Sequence, residues 1–481
     1  MRMPVRVRGS SPARRRTGRR ATHGRRGRVG DGAGRSSGRR RPSSEEVRAS
    51  LWFWPAVGAG TAFLVALLLL RVRPEPASGL AERTWPGDAS SATALLQTVA
   101  TASVTAASLT FSLTVVALQL ASQQFSPRLL RSFARDWQVQ AAMAVLVSAF
   151  VVSLTTLRGL DPERPLPVLA LLLSLLLGLA AAVVLVAFVA HIVRRLRVHT
   201  MMESVHHDTV ASIGTAYHPY GEGPEAPSPD LPGPAGGVLV PAWSSGFVSV
   251  VRPEPLVAAA RRHDVVLLLG VRPGDAVVQG APVASAFAPP GRGVPVEDLA
   301  RDLAEAVVLR FERTEEQDVA FGLRQLTDIA LKAVSPAVND PTTAAEALGY
   351  CADLLVRLQG RRLGPQVVRD EGGAVRAVLP DRDLRYYLDL VCAQVRRSGR
   401  SEPVVLTALL RLLRDTAVAA RDEDQRRDVA DQAALVLAQL GDDVLAQDAA
   451  AVQDLHRRVG LALAGDVDAA YRDRAGETRS I

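Results

Sequence analysis

Lysine is almost absent: Lys332 stands alone among 57 basic residues. There are two cysteines, Cys351 and Cys392, with no Cys-x-x-Cys pair. That excludes a disulfide framework and a zinc ribbon, and leaves two free, buried thiols as the simplest expectation. Phosphate loops of the Walker type, a Gly-x-Gly-x-x-Gly turn after a strand, a Gly-x-Ser-x-Gly elbow and His-Glu-x-x-His are all missing. No catalytic motif, cofactor or metal site is therefore expected, and the reading is non-enzymatic. Charge is also missing, and from four long stretches: 49–70, 89–127, 137–157 and 165–193.

Those stretches carry the first positive inference. About 20 apolar residues span a bilayer as a helix, and a lipid-embedded backbone must satisfy its own hydrogen bonds. Four transmembrane helices are expected, with Trp52 and Trp54 at the interface of the first. The chain is expected to lie in a membrane, in contact with the bilayer.

Charge is distributed unevenly. Residues 1–50 hold sixteen Arg against Asp31, Glu45 and Glu46, a net of +13. With a whole-chain charge of +8, the remaining 431 residues carry −5. The basicity belongs to the tail, so no specific nucleic-acid surface is expected of the body. The tail is poor in large apolar residues and is expected to be disordered, with its Arg available to anionic lipid headgroups. Arg density before the first span places both termini in the cytoplasm, because four spans return the chain to its starting side.

The expected organisation is a tail over 1–48, a membrane domain with a juxtamembrane helix over 49–211, and a Pro/Gly linker over 212–237. A small β-rich subdomain (238–290) and a helical cytoplasmic domain (291–481) follow. The fold class is an α-helical membrane domain plus a mixed cytoplasmic domain, mostly α. Residues 194–211 read as a polar helix leaving the membrane. Short runs such as GVLVPAW, GFVSVV and DVVLLLG read as strands, with Arg272-Pro273-Gly274-Asp275 as a turn. From about 295 to 465 the pattern is amphipathic helix after helix.

Four features invite a functional reading. In the second span, Thr98, Thr101, Thr105, Ser108, Ser112 and Gln119 recur at helical spacing on one face. Such a stripe serves close helix packing or lines a water-filled path. Arg128, Arg131 and Arg135 follow it and would sit at the cytoplasmic mouth. Beyond the fourth span, His199, Glu203 and His207 share a helical face, read as a solvated surface in preference to a metal site. The segment 313–343 has high polar density. Arg324, Asp328, Asn339 and Asp340 are either a binding site between two helices, or a helix pair capped by Asp340 before Pro341 and braced by Arg324 and Asp328. Finally, VRPGDAVVQGAPVA (271–284) has the turn-and-strand pattern of biotin and lipoyl carriers. The only lysine, Lys332, lies in the helical region, so a swinging-arm role is excluded.

The segments SLTFSLTVVALQLASQQFSPRLLRSFARD (108–136), AFVAHIVRRLRV (187–198) and RTEEQDVAFGLRQLTDIALKAVSPAVNDPTTA (313–344) resemble the bacterial membrane proteins grouped as domain of unknown function 2254. The resemblance runs from about 50 to about 440 and omits the tail. It implies an integral membrane protein with a cytoplasmic C-terminal region, and carries over no catalytic residue. It singles out Gln119, Ser126, Pro127, Arg128, Arg324, Asp328, Ser335, Pro336, Asn339, Asp340 and Pro341. The leading expectation is a homo-oligomeric, channel-like or transport-related protein assembled through the second span. The alternative is a membrane-anchored sensor or scaffold, binding a ligand or partner through its cytoplasmic domain.

Overall fold

A computed structural model describes residues 52–71, 88–124, 136–161, 165–195, 197–222 and 236–472, the side chains of 121–124 excepted. The tail over 1–48, residues 223–235 of the Pro/Gly linker and Ser126, Pro127, Arg128, Arg131 and Arg135 lie outside the described residues.

Four helices are long and apolar enough to cross a membrane: α1 (Phe53–Arg71), α2 (Ala89–Gln124), α3 (Trp137–Arg158) and α4 (Val168–Arg195). Helix α3 is the most enclosed and packs against the other three. Small residues allow the approach: a side chain at Gly58 would press on Ala144 and Ser148, and one at Gly178 on Val99. Leu96, Leu146 and Leu171 are fully buried between the helices. The bundle of the single chain is thus closed mainly by apolar packing, with hydroxyls such as Ser103, Thr110, Ser153 and Thr156 scattered inside it.

The helix leaving the bundle does not simply continue α4. Helix α4 ends at Arg195, Arg197 adopts extended backbone, and a separate helix α5 runs Val198–Ala216. It is longer than the expected 194–211 because its inner face is held by tertiary contacts as well as by local propensity. Met201, Met202, Val205, Thr209 and Ile213 are buried on that face.

Strands β1 (Val238–Pro241), β2 (Gly246–Val251), β3 (Val266–Leu269), β4 (Ala276–Val277), β5 (Pro282–Phe287) and β6 (Val307–Arg310) come next, with helices α6 (Pro253–His263) and α7 (Val296–Ala306) between them. Helices α8 (Val319–Ala333) and α9 (Pro341–Gln359) lead to strands β7 (Gln366–Arg369) and β8 (Val375–Leu379). Helices α10 (Leu384–Ser398), α11 (Pro403–Ala419), α12 (Glu423–Leu437), α13 (Ala446–Leu463) and α14 (Val467–Tyr471) close the chain.

The strands form a five-stranded sheet in the order β1-β5-β3-β8-β7 and a three-stranded sheet in the order β4-β2-β6. Strand β8 pairs in parallel with β3, Leu267 opposite Ala377. This departs from the expected run of helices after 295, since the helical region returns a hairpin to the β-rich part. Its partner lies about a hundred residues upstream, so no local period announces it. One apolar core lies in the sheet and α6–α7; the other joins α5 to α8–α13.

Candidate functional site

The polar stripe of α2 is exposed on the outside of the single-chain bundle at every one of its six positions: Thr98, Thr101, Thr105, Ser108, Ser112 and Gln119. The opposite face carries Ala92, Leu96, Val99, Ser103, Thr110 and Ala117, all buried against α3 and α4. Thr98 and Thr105 donate to the carbonyls one turn back, Ala94 and Thr101, each at 2.8 Å. Around Thr98, Thr101 and Thr105 runs an open groove of about 630 Å³, walled by Ala102, Ala106 and Leu185.

At the end of the bundle from which α5 departs, Asp136 caps α3 by accepting from the Gln138 amide at 3.0 Å. Its other oxygen meets His191 Nε2 at 2.6 Å and Arg195 Nε at 3.3 Å, both on α4. Asp136 is buried, so this contact ties the start of α3 to the end of α4. Sequence reading passed over it because 55 residues separate Asp136 from His191. The signals available were an Asp bordering an apolar run and a His near the end of one.

Helix α5 lies against α8 and α9. A Cβ at Gly322 would overlap Thr209 Oγ1, so glycine is required where the two helices cross. His199, Glu203 and His207 are exposed, and among the described residues no metal-binding group of three or more His, Cys, Asp or Glu occurs. The neighbouring His206 faces inward and meets Asp353 at 2.6 Å.

The 313–343 segment resolves into separate jobs. Val319, Leu323, Leu326 and Ala330 form the buried face of α8. The helix ends at Ala333, before Ser335-Pro336. The connector then folds back: Asn339, at φ 50°, donates its amide to Ser335 O at 2.9 Å, and Asp340 donates to Ala333 O at 2.9 Å. Asp340 caps α9 by accepting from the Thr343 amide (3.1 Å) and hydroxyl (2.6 Å), bonds that hold its carboxyl below the ordinary range. Arg324 instead reaches Gln394 on α10, at 3.4 Å. Arg324 and the connector are about 14 Å apart along the helix axis, and the cavities around α5, α9 and α12 are lined by other residues.

The densest polar cluster forms around Arg382, just after β8. Arg382 is 4 % exposed. It donates to Pro273 O at 2.9 Å and faces Asp275 at 3.5 Å and the fully buried Asp318 at 3.7 Å. Arg313 pairs with the other Asp318 oxygen. The Tyr386 ring lies 5.2 Å from the Arg382 guanidinium. Burial opposes the charge of Arg382, and Asp318 and the tyrosines outweigh it, keeping it protonated more firmly than usual. Beside it, Tyr217, immediately after α5, bonds Asp381 at 3.2 Å and Tyr387 at 2.6 Å. Burial raises the pKa values of Tyr217, Tyr387 and Asp381, favouring their protonated forms. The turn that sequence placed at 272–275 supplies Gly274, at φ 90°, where any side chain would overlap the Asp318 carboxylate. This cluster joins the end of α5, the β-rich part and α10. Among the described residues Asp318 Oδ1 and Arg382 Nε are buried without a hydrogen-bond partner, so the cluster holds these segments together through charge with its hydrogen bonds only partly met.

The model of a family described as predicted membrane protein, domain of unknown function 2254, matches residues 48–415. An uncharacterized protein of Mycobacterium bovis is 32 % identical over 410 residues, 83 % of this chain and 78 % of that protein. Uncharacterized proteins from two strains of Mycobacterium tuberculosis match at the same identity and coverage. No solved structure matches. On the matched span and the identity to these relatives, the chain belongs to the domain of unknown function 2254 family of predicted membrane proteins.

Proposed function

We propose that the protein is a non-enzymatic, oligomeric, channel-like membrane protein in which α2 of each copy turns its polar face toward a shared path. The observation that carries this reading is the position of the stripe: all six polar residues lie on the outer face of a bundle whose interior is mainly apolar, with a few buried hydroxyls. Lipid is a poor neighbour for such a face. Polar contacts between membrane helices contribute about 0.6–2 kcal/mol each, so a second copy or a water column is the favourable cover. The Arg-rich tail supports an inner-membrane orientation with both termini cytoplasmic. In that orientation Arg128, Arg131 and Arg135 follow α2 on the cytoplasmic side and favour anions. The test is ion flux from liposomes containing folded protein. Thr105→Trp and Ser108→Trp are expected to reduce flux at least tenfold, and unchanged flux would remove the basis of the reading.

A second reading, a membrane-anchored sensor or scaffold, is favoured by one observation. The Gly322–Thr209 crossing and the Tyr217 hydrogen bonds fix α5 to the C-terminal domain, so a ligand there has a mechanical route to α4.

A further inference from the structure

Past α5 the chain is pinned to the end of α9. Pro219 and Arg361 form an antiparallel bridge, Tyr220 donates its amide to Gly360 O at 2.9 Å, and Arg362 donates to His218 O at 2.9 Å. This pinning shapes an open cleft of about 430 Å³ between α5, α9 and the α11–α12 connection, with Arg357 and Arg421 exposed at it. Its volume falls within the roughly 300–1,000 Å³ of small-molecule clefts. Arg357, Arg361 and Arg421 line it, and no carboxylate does.

These guanidiniums are unequally compensated. Arg357 has a carboxylate neighbour, Asp353, at 2.5 Å. The Arg361 guanidinium donates to the Tyr217 carbonyl, at 3.3 Å, and that of Arg421 lies over the Tyr220 ring, 5.6 Å from its centre. Among the described residues neither Arg361 nor Arg421 has an ion-pair partner. Arg421 is nonetheless held in place, since its amide donates to Gln425 Oε1 at 3.0 Å. The remaining wall is apolar: Val210 and Ile213 from α5, and Val356 from α9.

We propose that this cavity binds a phosphate-bearing small molecule, the phosphate on Arg361 and Arg421 and an apolar portion against Val210, Ile213 and Val356. Guanidinium presents paired N–H donors that match phosphate oxygens, and an anion relieves the mutual repulsion of the three arginines. The phosphate belongs to a soluble nucleotide-sized ligand or to a lipid headgroup, which share this chemistry. Because α5 forms one wall and follows directly on α4, occupancy clamps the helix that joins the two parts of the chain. The site stands apart from the α2 face, and its binding is read without any flux measurement.

The test uses the full chain in phosphatidylcholine nanodiscs, titrated with inorganic pyrophosphate by calorimetry. One saturable site per chain is expected, weakened at least tenfold by Arg361→Gln with Arg421→Gln and unaffected by Arg397→Gln. In a second arm, phosphatidylglycerol replaces part of the lipid, and amide exchange is followed over 210–221 and 356–361. Protection that disappears in the double variant assigns the phosphate to a headgroup. Pyrophosphate binding that disappears in the variant assigns it to a soluble ligand. If neither probe binds, or both act equally on the double variant, the proposal is overturned. Unchanged helical circular dichroism shows that the variant is folded.

Discussion

Arg382 sits where an unpaired charge would be least tolerated, and the residues around it show how the fold accommodates it. Asp318, Asp275 and the Pro273 carbonyl share its guanidinium. Removing one member of a buried charged group costs about 3–5 kcal/mol. Arg382→Met is expected to cost about 3 kcal/mol in a chemical melt, the lower end because Arg313 still neutralises Asp318. A loss below about 1 kcal/mol would show that the group is solvated and not a joint. Asp381 makes a prediction of the opposite kind. Its folded pKa is raised above 3.8, chiefly by burial. The native state therefore holds a proton that the unfolded chain has released. That stability is complete below 3.8 and is lost as pH rises through the raised value. Asp381→Asn is expected to flatten the fall in melting temperature as pH rises from about 4 toward neutrality; an unchanged slope would contradict the assignment. Little of this was legible in the sequence. Asp318 falls in the polar 313–343 segment and Gly274 in the expected 272–275 turn, but the reason they belong together is a three-way approach of distant segments.

The elements were read more fully than their joints. Four charge-free runs, a helix ending before Ser335-Pro336 and a cap at Asp340 follow from local rules, and the helices stand there. Strands β7 and β8 escaped because, although they pair with each other as a hairpin, that hairpin joins a sheet through β3, about a hundred residues upstream. Helix α5 ran longer than its polarity suggested because α8 and α9 bury one side of it. Gly322 is the residue on which that crossing depends. Gly322→Ala is expected to cost about 1–3 kcal/mol, the range of overpacked cores, because β-branched Thr209 has little freedom to move aside. Thr209→Ala in the same chain is expected to restore most of the loss, measured as a double-mutant cycle. Strict additivity would mean that the two helices do not meet there.

At the scale of the whole molecule, a mainly apolar bundle, a polar outer face and a C-terminal domain packed on α5 make a consistent set. The period of the stripe was plain in the sequence; which way it faced was not, because direction depends on which side of α2 meets α3 and α4. The outward direction is what turns a packing motif into an expectation of assembly. A cysteine at the stripe reads this directly. Cys351 and Cys392 are free and fully buried, and burial raises both thiols, Cys392 to about 12. They leave a surface cysteine as the only reactive one among the described residues. The decisive measurement is oxidative cross-linking in native membranes of Thr105→Cys, compared with Val186→Cys on the 72 % exposed side of α4. The account predicts a disulfide-linked species of two copies for Thr105→Cys and none for Val186→Cys. A monomeric Thr105→Cys beside a cross-linked Val186→Cys would contradict it, leaving the polar face of α2 without a partner copy.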